Sequence, residues 1–340
     1  MNIYVLSTNE ARLDAIAQIN KEFPIKGLIG LSKREVTDKI SGYFYMKPFC
    51  QKNNLEFVAV DDYSLKNEKD KTRLLKLKVD LLLVLGWQRL IPDWLINHCQ
   101  IGVIGIHGSA EGIAGGRGRS PQNWALIMDK KEFHISTFFI NTGIDEGAII
   151  DTKTFLLSEF DTIKTSYYKD NLLTAQMIIS NLRNGRILKK QAKAQSGKTS
   201  YLPQRIPEDG AIDWKKPTKN IYNFIRALTK PYPGAFSKTN RFKIVIWQAQ
   251  PFAMDKKQDY KTIKPGTIIK IFPNNWLLVK TLDDNLLITD YKTEPKNIVL
   301  KEGQVLPSVN FEKQMAEIIA RHRKKYPNLP LSKEITKLAQ

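Results

Sequence analysis

The chain is poor in the residues that several common chemistries need. It has two cysteines in 340 residues, Cys50 and Cys99, too few for a disulfide framework or a four-thiolate metal site. Both are expected to be buried. Its four histidines show no ligand spacing with cysteine or carboxylate, so no metal is implied. No stretch approaches the roughly 20 apolar residues that cross a bilayer; the nearest, residues 81–86, is strand-sized, which excludes a membrane span. The opening MNIYVLSTNE lacks a basic region followed by an apolar core, and a cytoplasmic location is expected. Also absent are G-x-G-x-x-G after the first strand, G-x-x-x-x-G-K-[ST], H-E-x-x-H and G-x-S-x-G. Dinucleotide, nucleoside triphosphate, zinc-protease and α/β-hydrolase chemistries therefore lack their signatures.

Acidic residues are scarce as well, 34 against 53 lysines and arginines, for a net charge of +19. The excess is +7 in residues 1–200 and +12 in 201–340. Such a surplus attracts polyanions, although much of it is scattered lysine rather than an arginine stripe. With 42% hydrophobic residues the chain has enough apolar matter for a globular fold, and its length suits two domains.

Through the first 150 residues, β-branched and aliphatic runs alternate with polar, helix-permissive stretches, the rhythm of a parallel α/β sheet. Strands are expected at 2–7, 25–31, 56–60, 81–85 and 103–106, with helices over 43–52 and 70–77. Two further strands, 133–140 and 148–155, flank the turn Asn141-Thr142-Gly143 as an antiparallel extension. Asp161 is expected to cap a long helix that Asn184-Gly185 stops. A first domain thus covers 1–188, a polar linker 189–206, a second domain 207–306 and a basic helical tail 307–340. In the second domain a helix over 218–228 precedes strands at 242–247, 266–271, 276–281 and 285–289, for which a small barrel is the natural closure. The tail pattern over 310–325 ends on Arg321, Arg323, Lys324 and Lys325, a cluster that suits a helix C-terminus.

Reactive and glycine residues concentrate in Gly105-Ile106-His107-Gly108-Ser109 and Gly115-Gly116-Arg117-Gly118-Arg119-Ser120-Pro121-Gln122-Asn123-Trp124. This segment follows a predicted strand, where open α/β sheets bind ligands, and glycines around His107 permit close approach. A second element, Gly143-Ile144-Asp145-Glu146-Gly147, offers a carboxylate that could orient the imidazole or simply close a turn. Arg117 and Arg119 carry planar donors suited to phosphate or carboxylate, or are solvated loop charges.

Together these segments resemble the 10-formyltetrahydrofolate-dependent formyltransferases, whose usual pattern is Asn-x-His-x-Ser, a loop with Arg-Gly-x-x-Pro, and a later Gly-x-Asp-x-Gly. Gly86-Trp87-Gln88-Arg89-Leu90-Ile91-Pro92 sits where that family binds folate. Arg205-Ile206-Pro207-Glu208-Asp209-Gly210 and Pro231-Tyr232-Pro233-Gly234-Ala235-Phe236 look like its C-terminal domain, most of all that of the members acting on sugar nucleotides. The resemblance covers about residues 1–300. It implies a Rossmann-like doubly wound, mostly parallel sheet followed by an OB-like barrel. By it, His107 and Asp145 are catalytic, and Gly86, Trp87, Gln88, Arg89, Leu90 and Ile91, with Asp145, bind 10-formyltetrahydrofolate. Ser109, Arg117, Gly118, Arg119, Ser120, Pro121 and Asn123 meet the acceptor. The implied reaction is formyl transfer to the amine of a nucleotide-linked amino sugar. The alternatives are a methionyl-tRNA acceptor, or a folate-binding homologue impaired in catalysis. A homodimer stays open. The last alternative arises because the family's Asn is Gly105 here; Ser109, Gln122 or the Gly105 N–H could stand in for it.

Overall fold

The computed structural model describes residues 1–32, 40, 42–253 and 262–339. Two compact units divide the chain: the first holds Met1–Gly118, Glu132–Leu156 and Tyr167–Thr199, the second Arg119–Lys131, Leu157–Ser166 and Ser200–Gln340.

In the first unit the elements are β1 (Ile3–Leu6), α1 (Leu13–Glu22), β2 (Ile25–Leu31), α2 (Lys47–Lys52), β3 (Glu56–Val60), α3 (Glu68–Leu75), β4 (Leu81–Val84), α4 (Asp93–His98), β5 (Gly102–Ser109), α5 (Gly112–Gly115) and the two-residue β6 (Arg117–Gly118). After α6 (Pro121–Ile127), which belongs to the second unit, come β7 (Glu132–Phe139), β8 (Ile149–Leu156) and α7 (Ile163–Arg183). Seven strands form one sheet in the order β3-β2-β1-β4-β5-β7-β8. The first five are parallel, and β7 and β8 extend the sheet antiparallel. Both faces of the parallel part are covered, which explains its continuous apolar runs. Ile3, Val5, Leu81 and Leu83 pack with Ile16 of α1 and Ile178 of α7. Tyr4, Leu6, Leu82 and Val84 turn the other way, with Leu74 of α3 and Leu95 of α4. The chain winds outward from β1 to β3, then returns to β4 on the other side of β1. This reversal makes the carboxyl ends of β1 and β4 the switch point at which open α/β sheets bind ligands.

Several boundaries differ from expectation, each for a local reason. The helix expected over 43–52 starts only at Lys47. That over 70–77 starts at Glu68, because the Asn67 side chain accepts from the Asp70 N–H. At the head of α7 the cap is Thr162 rather than Asp161: Thr165 N–H donates to Thr162 Oγ1 (3.3 Å) and Thr162 N–H to Thr165 Oγ1 (2.9 Å). Asp161 instead accepts from the Ser158 N–H (2.7 Å) and the Thr165 hydroxyl (3.0 Å). Gly185, at φ +75°, follows the helix end as its sequence foretold.

The second unit contains β9 (Tyr201–Leu202), α8 (Thr218–Leu228), β10 (Ala235–Lys238), β11 (Lys243–Pro251), β12 (Ile268–Ile271), β13 (Leu277–Lys280), β14 (Asn285–Glu294), α9 (Phe311–Lys325) and α10 (Lys333–Leu338). Its antiparallel sheet has the order β10-β11-β14-β13-β12. Trp214, Ile221, Ile225, Ile244, Leu277 and Leu286 are among the residues of its core. Strands β11 and β14 outrun their expected ends at 247 and 289, because the outer half of each pairs with the inner, apolar half of the other while its own residues are mostly polar and partly exposed, and so carry little apolar signal. The Arg205 guanidinium stacks between Trp124 and Phe224 (4.8 and 5.2 Å to the ring centroids), and burial pulls its pKa down to about 10. Asp209 accepts from the Ile206 N–H (2.9 Å) and pairs with Arg321 (2.6 Å). Residues 205–210 thereby serve the fold of this unit.

Candidate active site

Strand β5 changes partners along its length. Its parallel pairing with β4 ends at Leu83↔Ile104, while its antiparallel pairing with β7 continues to Ser109↔His134. The strand expected to end at Ile106 therefore includes His107, yet His107 still lies beyond the carboxyl end of the parallel ladder. Alternation along β5 puts Gly105, His107 and Ser109 on one face, opposite Phe138, Ser136 and His134 of β7.

His107 is 8% exposed, and both its ring nitrogens face acceptors. Nδ1 lies 3.3 Å from Asp145 Oδ2, and Nε2 lies 2.7 Å from the carbonyl oxygen of Gly116. The fold thus unites the two residues that sequence spacing alone could not bring together. The Gly118 N–H donates to the same Asp145 oxygen at 3.2 Å. Asp145 lies in the left-handed region at φ +52°. Gly147 is required in this loop, since a Cβ there would stand 1.5 Å from the Phe139 carbonyl oxygen.

At Gly105 an added Cβ would lie 2.8 Å from Ile140 Cγ1 and 2.9 Å from the tip of the Phe138 ring. The space that a side chain at this position needs is already filled. The Gly105 N–H is also committed: the bond from Ile140 N–H to the Val103 carbonyl (2.8 Å) sets the antiparallel alternation so that 105↔138 is a hydrogen-bonded pair. Of the side chains expected to replace an amide here, Ser109 is buried and its Oγ accepts from the Glu111 N–H at 3.0 Å, leaving its hydroxyl proton to donate. Gln122 lies in the second unit, where its Oε1 accepts from the Ser166 hydroxyl at 2.9 Å.

After β4, Gly86 sits at φ +86°, and a Cβ there would come within 2.6 Å of Asn9 Cβ, so glycine is needed for the two strand ends to meet. Trp87 packs edge-on to Tyr63 with ring centroids 4.7 Å apart, and its buried Nε1 has no hydrogen-bond partner among the described residues. The Gln88 N–H donates to Tyr63 Oη (3.0 Å), and the Arg89 guanidinium lies over the same ring at 4.8 Å. Leu90 is exposed, whereas Ile91 belongs to the core.

Two of the residues expected to meet an acceptor are committed elsewhere. Arg117 is buried, with Nη1 on Glu146 Oε1 (3.1 Å) and Nη2 on Gln195 Oε1 (2.8 Å). Asn123 is buried and donates to the Ala227 carbonyl at the end of α8 (2.7 Å). Arg119, Ser120 and Pro121 lead into α6 in the second unit. Sequence reasoning missed Gln195, which lies in a polar stretch with no periodicity. Among the described residues no cluster of histidine, cysteine or acidic residues is arranged to hold a metal, and no helix is long and apolar enough to cross a membrane. Cys50 and Cys99 are buried free thiols pushed up to about 11 and about 12 by burial, which makes them poor nucleophiles.

A doubly wound sheet with a His–Asp pair at its carboxyl edge, followed by an antiparallel domain, defines a class that comparison with known proteins identifies. Residues 28–182 match the family described as formyl transferase, and residues 205–302 match formyl transferase, C-terminal domain. The chain belongs to the formyltransferase family. It is 34% identical over 276 residues to the bifunctional polymyxin resistance protein ArnA of Wigglesworthia glossinidia brevipalpis, which covers 80% of this chain but only 38% of that protein. To a methionyl-tRNA formyltransferase of Fusobacterium nucleatum it is 27% identical over 303 residues, 87% of this chain and 93% of the relative. The crystal structure of an N-formyltransferase from Helicobacter canadensis, in complex with folinic acid and dTDP-3-aminofucose, shares the fold with a TM-score of 0.57 at 16% identity, covering 86% of this chain and 99% of that one.

Proposed function

We propose that this chain transfers a formyl group from 10-formyltetrahydrofolate to the amine of a nucleotide-linked amino sugar. The observation that carries this reading is the His107–Asp145 pair at 3.3 Å, beyond the parallel ladder of a formyltransferase-family sheet. The neutral amine adds to the formyl carbon, the carbon–nitrogen bond to the folate breaks, and the proton lost by the amine passes through His107 or water to the departing nitrogen. Asp145 orients the imidazole. His107 opposes the negative charge that develops on the formyl oxygen, exchanging its bond to the Gly116 carbonyl for one to the substrate. Ser109, two residues along the same face, is the side chain we assign as second donor in place of an amide at Gly105. Gly86 to Ile91 suit the folate: the indole N–H of Trp87, which has no partner among the described residues, offers a donor to a ring rich in heteroatoms.

The choice of acceptor is supported by the amino-sugar nucleotide bound in the Helicobacter structure and by the likeness of the sequences at 205–210 and 231–236 to the members acting on sugar nucleotides. A methionyl-tRNA acceptor is the second reading, favoured by the net charge of +19 and by the Fusobacterium relative. Release of tetrahydrofolate is to be measured with a panel of UDP-, dTDP- and GDP-linked amino sugars and methionyl-tRNA. Release dependent on a sugar nucleotide supports the first reading, and release with methionyl-tRNA alone supports the second. Folate binding without release on any acceptor sinks both and leaves a binding protein. Arg119→Ala should raise KM for the acceptor while leaving KM for the folate unchanged.

A further inference from the structure

The loop that carries Asp145 is gripped from outside the His–Asp pair. Its left-handed backbone at Asp145 is a conformation that persists in a non-glycine residue where the surroundings hold it. The side chain of Gln195 supplies that hold. Its Nε2 donates to the carbonyl of Asp145 (2.6 Å) and to that of Gly147 (2.9 Å), bridging the residues on either side of Glu146. Its Oε1 accepts from Arg117 Nη2 (2.8 Å), and Arg117 Nη1 bonds Glu146 (3.1 Å). Gln195 is itself anchored, because Lys193 exchanges two backbone bonds with Ile149 at the start of β8 (2.7 and 2.8 Å). One amide therefore ties together the loop, the residue next to Gly116 and Gly118, and the edge of the sheet.

We propose that Gln195 is a positioning residue for the His107–Asp145 pair, acting with Arg117 and Glu146 as a clamp on the 143–147 loop. The inference rests on the function proposed above for its catalytic meaning, and on geometry alone for the clamp. Amide chemistry is essential to it. A carboxylate at this position would keep an acceptor for Arg117 but set a negative charge against two carbonyl oxygens.

The test uses the full chain as Gln195→Leu and Gln195→Glu. Two quantities are read: kcat and KM for folate and acceptor, and the downfield proton NMR signal of the His107 Nδ1–H, identified by its loss in His107→Ala. Both variants should lose or broaden that signal, with kcat down on the order of ten- to a hundredfold and KM values within about twofold. A normal signal and kcat in either variant would overturn the clamp, as would a lowered melting temperature with both readouts intact, which marks a purely structural residue. If the wild-type chain transfers no formyl group, the proposed function falls, and the NMR comparison alone decides on the clamp.

Discussion

Gly105 shows how much a single position says about this site. Its missing side chain is not spare room, since Phe138 and Ile140 occupy the volume. Gly105→Asn should therefore destabilise the protein by about 1–3 kcal/mol through overpacking, measured as a lowered urea midpoint, and Gly105→Asn with Ile140→Ala should recover part of the loss. His107→Ala should reduce formyl transfer by about 10²–10³, the usual effect of removing one oxyanion donor, with the fold intact by circular dichroism. His107 and Asp145 were legible because glycines crowd around them and because each falls in a family motif. Gln195 was not. It lies 50 residues beyond Asp145, and only tertiary structure brings its amide to that loop.

Among the elements, the clearest electrostatic device sits on α10. Glu334 pairs with Lys130 at 2.8 Å and with Lys337 at 2.9 Å, and the hydrogen bond from Lys130 leads the causes that hold its pKa at about 2, below the usual 4.5. A depressed carboxylate contributes stability that is fully present above its unfolded value and is lost as the pH falls through the folded one. Glu334→Gln should then cost about 0.5–1 kcal/mol at neutral pH, the modest figure reflecting solvent screening of a partly exposed pair. The difference from wild type should shrink below pH 4.5 and vanish near pH 2, as followed by urea unfolding across that range. The parallel strands were readable because burial on both faces leaves unbroken apolar runs. The outer halves of β11 and β14 were not, because exposed antiparallel strands look like loops in sequence, and the short, half-buried β10 was masked by the turn residues Pro231 to Gly234 just before it.

At the scale of the whole molecule, charge and chain path matter most. A net charge of +19 favours non-specific attraction to any polyanion, so affinity at one salt concentration would mislead. If methionyl-tRNA is the acceptor, log affinity should fall with log salt at a slope near −0.9 for each duplex phosphate contacted. A sugar nucleotide, with only two phosphates, should give a shallow line, and fluorescence titration at several salt concentrations separates them. Composition made the surplus plain but could not say whether it gathers into a surface. The chain path was hidden altogether: periodicity gives elements in order, whereas membership in a unit depends on which distant segments pack. Residues 119–131 and 157–166 belong with the C-terminal unit, and α7 begins in one unit and continues in the other. During synthesis this interleaving forbids a simple N-to-C order of folding, in which one domain is finished before the next emerges. The first unit lacks its last segment until Thr199 has left the ribosome, and by then two early segments of the second have long been waiting for partners not yet translated. A nascent chain of this kind carries exposed apolar helix faces through much of its translation, and its biogenesis is where a chaperone would matter most.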